Sequence, residues 1–277
     1  MNITNQDRIA VIMSIYKNDI WAQVEESINS ILLQTYKAVD IYIMCDGPVE
    51  QNIEKNLCSY ECDNFYVKRH ETNLGLASSL NDLLDIVLKK NYNYIARMDA
   101  DDISITDRFE KQVLFLKTHP EVDMVGGAIC EINLRGEKRG KIVKYPCTPE
   151  ECLHFFSKRN PVAHPTVMFR RSFFKKTGCL YPTDFIRNED TRLWHEGYKH
   201  GCVIANISDV VLNFRVTDNM FKQRRNGKMF AKSQLKLRKV IANDLNFGIV
   251  AYVYAYITYF LMISPSWVLK LAYKYLR

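Results

Sequence analysis

The stretch Tyr94-Ile95-Ala96-Arg97-Met98-Asp99-Ala100-Asp101-Asp102 decides the fold. Residues 94–98 are a mostly apolar run of strand length, and three carboxylates follow within four residues. In open α/β sheets, ligands sit at the carboxyl ends of the strands. An acidic loop directly after a buried strand is therefore a candidate site. Reading outward toward the N-terminus, the same grammar repeats. Residues 8–15 form an apolar, β-branched run that reads as a buried parallel strand. Residues 21–33 have helical periodicity, with Val24, Ile28, Ile31 and Leu32 on one side. Residues 39–45 are the next strand, ended by the turn signal Asp46-Gly47-Pro48. A short helix near 49–56, a strand at 65–69 and an amphipathic helix at 76–89 complete a βαβαβαβ order. That order predicts a mainly parallel sheet with helices on both faces.

Reading outward toward the C-terminus, a helix at 106–118 is closed by Pro120, and a strand spans 124–133. Thr148-Pro149-Glu150-Glu151 opens a helix, with Thr as N-cap, Pro at the first position and Glu at the third. A strand at 167–169, a helix at 190–200 stopped by Gly201, and two late strands at 203–207 and 211–216 follow. Residues 217–228 are polar and basic and read as a mobile loop. The expected division is a catalytic domain over 1–228 and a helical hairpin over 229–277.

Composition limits what such a chain can be. With 277 residues, 47% of them hydrophobic, it has enough apolar surface for one real core, and 25% charged residues argue against intrinsic disorder. The net charge of +7 suits a protein that handles phosphates or rests on an anionic membrane. No nucleic-acid-binding signature accompanies it, so no nucleic-acid partner is expected. The eight cysteines are scattered without a CxxC pair, which argues against a zinc site or a disulfide scaffold and suggests a reducing, cytoplasmic compartment. No GxGxxG follows any strand, which excludes a dinucleotide-dependent dehydrogenase.

The chemistry concentrates at the strand ends. Three carboxylates packed as Asp99, Asp101 and Asp102 repel one another unless a cation neutralises them, and a hard divalent ion such as Mn²⁺ or Mg²⁺ suits oxygen ligands. Such an ion would also stabilise the charge on a departing diphosphate. The bland alternative is a solvated loop. Asp46 follows the second strand, and Glu189 and Asp190 open a later helix, where a negative charge is favoured. Held ionised by the helix dipole, Asp190 is a candidate general base; the alternative is that Glu189 and Asp190 only cap the helix. His164, stiffened between Pro161 and Pro165, is a candidate contact for an acceptor or its diphosphate, with a structural role as the alternative. Arg224 and Arg225 would clamp a diphosphate, or else form a solvated basic loop.

Several motifs resemble one family in order. Ile9-Ala10-Val11-Ile12-Met13-Ser14-Ile15-Tyr16 is similar to the opening strand of family-2 glycosyltransferases, usually V-S-V-I-M-P-V-Y-N; Ser14 and Lys17 depart from its Pro and Asn. Asp46-Gly47 resembles the family's D-G turn, and Asn73-Leu74-Gly75-Leu76-Ala77 with Asn81 its N-x-G-L-A…N segment. Arg97-Met98-Asp99-Ala100-Asp101-Asp102 with Arg108 and Gln112 resembles R-M-D-A-D-D…R…Q, and Asn188-Glu189-Asp190 with Leu193-Trp194 resembles E-D-x-x-L-W. Bacterial O-antigen and exopolysaccharide enzymes of the family look most similar. The resemblance implies the A-type glycosyltransferase fold, which is Rossmann-like with a mixed, mainly parallel sheet and flanking helices. It implies inverting chemistry in one displacement. By position it implies a nucleotide-sugar site drawing on Ser14, Tyr16, Asp46 (at the nucleobase), Gly75 and Asp99 (at the ribose or donor sugar). Asp101 and Asp102 would hold the metal, Asp190 would be the base, and Glu189 would stand near the acceptor or diphosphate.

Gln223 is not followed by the Q-x-x-R-W pattern of processive synthases, so one sugar per turnover is expected. The expected reaction moves a hexose, glucose or galactose, from a UDP-sugar to a sugar on a polyprenyl-diphosphate lipid. Two rivals remain. A sugar-1-phosphate nucleotidyltransferase should carry a Gly-rich loop after its first strand, and Ser14-Ile15-Tyr16-Lys17 has no Gly. A membrane-bound scaffold with a decayed site conflicts with intact Asp101 and Asp190. Residues 245–269 carry no charge, but six aromatics between Phe247 and Phe260, four of them Tyr, favour an interface over a span. Pro265 breaks the run, and Lys and Arg flank it. The expectation is a hairpin lying in or dipping into the cytoplasmic leaflet, the alternatives being a true span and a soluble packing helix or dimer interface.

Overall fold

Strands that are buried on both faces form the centre of the sheet. The structure is a computed structural model that describes residues 7–60, 62–185, 187–216, 228–264 and 268. β1 (Ile9–Ile15) and β2 (Val39–Cys45) are buried along their length, Ser14 alone being partly open, and β4 (Tyr94–Asp99) is buried up to its final Asp. β3 (Phe65–Arg69) closes that side. β3, β2, β1 and β4 are neighbours in that order and all parallel. The crossovers are α1 (Trp21–Leu32), α2 (Gln51–Tyr60) and α3 (Leu76–Val87).

Beyond β4 the direction changes. β5 (Ile103–Ser104) and α4 (Arg108–Thr118) lead to β6 (Met124–Ile132) and β7 (Lys138–Val143). After α5 (Pro149–Phe156) comes β8 (Met168–Arg170), which lies between β4 and β6 and is antiparallel to both. α6 (Arg171–Thr177) and α7 (Glu189–Lys199) precede β9 (Ile204–Arg215), which runs parallel to β6. The sheet is therefore mixed, as expected. The two late strands expected at 203–207 and 211–216 are one strand, because β9 takes up the irregularity as bulges opposite Ala128 and stays paired with β6 on both sides of them. β5, β7 and α6 had no expectation.

Alternation along β1 divides the core. Ile9, Val11, Met13 and Ile15 pack with α1 and α4, through Ile28 and Phe109 among others. Ala10 and Ile12 pack with α3, Phe156 and Trp194. Two C-terminal helices follow, α8 (Lys228–Asp244) and α9 (Ile249–Ile263). Leu237 and Ile241 of α8 are buried in the second core. α9 buries only Ala251 and Ala255, and leaves Ile249 and Phe260 at 75% and 59% exposure. Among the described residues no helix is long and apolar enough to cross a membrane. The part of the expected hairpin beyond residue 264, and the loop carrying Gln223, Arg224 and Arg225, lie outside the described residues, residue 268 apart.

Strand register places the site. Ser14 stands level with Met44 on one side and Asp99 on the other. With strands about 4.8 Å apart, the ends of β2 and β4 are about 10 Å from each other across β1.

Candidate active site

The acidic loop is built at the end of β4. The carboxylate oxygens of Asp99, Asp101 and Asp102 lie within 4.8 Å of one another. At that spacing each pair of like charges costs about 3 kcal/mol at an effective dielectric of about 20, so the loop must be held. Buried Arg215, the last residue of β9, holds it. Its backbone N–H donates to Asp102 Oδ1 at 2.8 Å, its Nε to the Asp101 carbonyl at 2.7 Å, and its second terminal nitrogen to Glu26 at 2.5 Å. Ser27 Oγ of α1 donates to the Asp99 carbonyl at 2.9 Å. Asp102 is buried, and its Oδ2 has no hydrogen-bond partner among the described residues. Burial, then Asp101 and Asp99, push its carboxyl well above the usual carboxylate range. A buried carboxylate oxygen without a donor, beside two further carboxylates, fits a divalent cation.

Below this loop lies Arg97, buried and ion-paired with Asp99. Its Nε and first terminal nitrogen find no hydrogen-bond partner among the described residues. Arg108 secures the floor. Its guanidinium donates to the Arg97 carbonyl at 3.0 Å and to Gln112 at 3.0 Å, and Gln112 donates to the Thr166 carbonyl at 2.7 Å. The R…Q pair of the sequence therefore ties β4 to the β8 region, and burial lowers the Arg108 guanidinium to about 9.

Asp46 is arranged differently. Its Oδ1 accepts from the Leu74 N–H at 2.7 Å and faces His70 Nδ1 at 3.2 Å. Its Oδ2 accepts from Asn73 Nδ2 at 2.8 Å and the Gly75 N–H at 3.0 Å. A carboxylate offers about four acceptor positions, and all are engaged by the loop that enters α3. Gly47 makes this approach possible: its φ is +83°, and a Cβ there would meet the Asn73 nitrogen at 2.7 Å. Gly75 caps α3 with φ +91°. Asp46 is thus only 4% exposed, and its oxygens are engaged by this loop. Ser14 and Tyr16 are partly open at the end of β1, where Asp19 accepts from the Tyr16 N–H at 2.8 Å.

The third station opens α7. Asn160 Nδ2 donates to Asp190 Oδ2 at 2.9 Å, and the Thr191 N–H donates to Asp190 Oδ1 at 2.6 Å. The Glu189 carboxyl is raised, first by burial and then by Asp190, with Arg97 and Asp99 also acting on it. Tyr181 marks where the stations meet. It is buried and within electrostatic reach of Arg97, Asp190, Glu189 and Asp99, and burial raises its phenol. Asn81 of α3 fixes it by reciprocal bonds of 2.8 Å with the Tyr181 backbone. His164 Nε2 meets the Tyr181 hydroxyl at 2.9 Å and the ring stands edge-on to Trp194. Burial and then Arg97 hold its imidazole well below its ordinary range.

The acidic loop and the Glu189–Asp190 pair thus converge, while Asp46 stands about two strands away on the same edge. The sequence reading assigned no role to Arg97, Asn160, Tyr181, Arg215 or Arg238. Arg97 alone carried a signal, an arginine inside an otherwise apolar strand.

Solved structures share this architecture. S. aureus TarS 1-349 in complex with UDP-GlcNAc matches 97% of this chain with 73% of its own, at a TM-score of 0.66 and 16% identity. The fold is that of the A-type glycosyltransferases. The sequence profile of glycosyl transferase family 2 matches residues 10–178, more than half of the chain, so the chain belongs to that family and is a glycosyltransferase. The O-antigen biosynthesis glycosyltransferase WbnJ of Escherichia coli is 35% identical over 221 residues, 78% of this chain and 82% of that protein. The E. coli UDP-Gal:alpha-D-GlcNAc-diphosphoundecaprenol beta-1,3-galactosyltransferase is 28% identical over 230 residues, 83% of this chain and 81% of that protein.

Proposed function

We propose that this glycosyltransferase moves one hexose, glucose or galactose, from a UDP-sugar to a sugar on a polyprenyl-diphosphate lipid, with inversion and without processivity, in the assembly of O-antigen or exopolysaccharide repeats. The observation that carries the reading is the convergence of the Asp99–Asp102 carboxylates and Asp190 around Tyr181. The names of the two E. coli relatives support the pathway, the UDP donor and the lipid-diphosphate acceptor.

In this reading the uridine lies across the ends of β1 and β2, on the loop that Asp46 holds, beside Ser14 and Tyr16. Asp99 contacts the ribose or donor sugar. Asp101 and Asp102 would hold a divalent cation, Mn²⁺ or Mg²⁺, whose chemistry is to neutralise charge on the departing diphosphate. Asp190 takes the proton of the acceptor hydroxyl. The oxygen attacks the anomeric carbon from the face opposite the leaving group, a C–O bond forms, and the bond to the diphosphate oxygen breaks with its electron pair. One displacement inverts the anomeric centre. Arg224 and Arg225 are candidates for the diphosphate clamp.

The acceptor is lipid-held, so a peripheral site on the cytoplasmic membrane face suits the enzyme. The exposed apolar side of α9 and the exposed Lys232, Lys236 and Lys239 of α8 support that placement. The test is a panel of UDP-sugars with a synthetic lipid-diphosphate sugar and Mn²⁺, read by mass spectrometry. Addition of a single hexose is expected. No transfer with any pairing, or near-normal turnover by Asp190→Ala, overturns the reading.

A further inference from the structure

One half-buried arginine lies behind the base and outside the chemistry described so far. Arg238 is on α8, about 80 residues of sequence from its partners. One of its terminal nitrogens donates to the Phe156 carbonyl at 2.9 Å, the other to Asn160 Oδ1 at 3.2 Å, and the guanidinium stacks 5.5 Å from the centre of the Phe156 ring. Burial lowers the guanidinium to about 10, with Asp190 opposing that fall and Arg159 adding to it. It remains a cation at neutral pH.

Asn160 can present either end of its amide, and the two ends have opposite effects on a carboxylate. A guanidinium can only donate, so it accepts only the carbonyl end of Asn160 as neighbour. The amide end must then face away, toward Asp190 Oδ2 at 2.9 Å, while the Thr191 hydroxyl lies within reach of both ends, 2.9 Å from Nδ2 and 3.0 Å from Oδ1. Thr191 completes the arrangement by donating its backbone N–H to Asp190 Oδ1. Among the described residues Oδ2 has a single donor and keeps an acceptor position for a substrate proton. One turn earlier on α8, Gln234 donates to the side chain of Asn188, which precedes the Glu189–Asp190 pair. Leu237 and Ile241, in the second core, fix the rotation of the helix.

We infer that Arg238 is a positioning residue for the reaction: it sets the amide orientation of Asn160, which aims the carboxylate of Asp190. The inference rests on Asp190 being the base, as proposed above. A misaligned base loses rate while substrate binding survives, and a displacement of about 1 Å can cost about 100-fold.

The test uses the full chain, with UDP binding in Mn²⁺ and thermal unfolding as checks of folding. Arg238→Met and, as a smaller change, Asn160→Ala are each measured alone and combined with Asp190→Asn. The expected result is a fall in kcat of about 10- to 100-fold for each single variant, with donor KM within about 2-fold of the parent. In the Asp190→Asn background, where there is no carboxylate to aim, either change is expected to cost less than about 2-fold. Unchanged kcat in a folded Asn160→Ala protein overturns the inference. So does a loss that is fully additive in a defective Asp190→Asn background, and that result leaves the base assignment standing. Near-normal turnover by Asp190→Asn alone sinks the base assignment instead.

Discussion

Asp46 and Asp190 are the same residue type at the same edge of the sheet, yet their surroundings differ. Asp46 is only 4% exposed and sits among four hydrogen-bond partners, three of them within the loop Asn73–Gly75. Asp190 is partly open, and among the described residues its Oδ2 has one side-chain donor. A saturated carboxylate builds structure, because removing it leaves several donors unsatisfied. An unsaturated one in a cleft can still accept a proton. Sequence position alone cannot separate the two cases; counting donors does.

The largest effect that contrast implies is on rate. Asp190→Asn should lower kcat by about 10²–10⁴-fold, measured under saturating donor and acceptor, with little change in the unfolding midpoint. Asp46→Asn should do the reverse. Its amide must turn an N–H₂ toward other donors, so unfolding free energy in urea should fall by about 2–4 kcal/mol, and donor KM should rise more than kcat falls. Equal kcat losses with unaltered stability in both variants would break the comparison.

A third variant tests the acidic loop. Mn²⁺ at about a hundred times its Kd should stabilise the protein by about 2.7 kcal/mol, read as a rise in Tm, and Asp102→Asn should abolish most of that rise. The same variant should raise stability without metal, since it removes a buried carboxylate repelled by its neighbours. The smallest effect concerns Glu189, whose carboxyl burial and Asp190 raise above 4.5. In acid both folded and unfolded chains carry the proton, and the group costs nothing. As pH rises past the ordinary value, the unfolded chain ionises first, so stability is lost through the raised folded value. Glu189→Gln should therefore stabilise by about 1 kcal/mol near neutral pH and by nothing near pH 3, measured by denaturation at both pH values.

The N-terminal half of the fold was legible because its strands are long and buried on both faces. β1, β2 and β4 are apolar runs closed by turn or acidic residues, and the structure returns each within a residue. The other half was less so. β5 has two residues, and β7 is exposed along much of its length, so neither gives a hydrophobic pattern. The carboxylates of the site were legible by their place after strands and before a helix. Its arginines were not. Arg215 reaches Glu26 across 189 residues and Arg238 reaches Asn160 across 78, and such pairings leave no local periodicity. Asn81 could be quoted as a motif, but its purpose, gripping Tyr181 from 100 residues away, belongs to the fold.

Trp194, fully shielded from solvent one turn after Asp190, has a practical consequence. An indole sealed from water emits at shorter wavelength than one in contact with it. The sequence contains three tryptophans, and this one touches the His164 ring that in turn meets Tyr181. The enzyme thus carries its own fluorophore beneath the Tyr181 side of the site, and its emission offers a label-free gauge of anything that disturbs that floor.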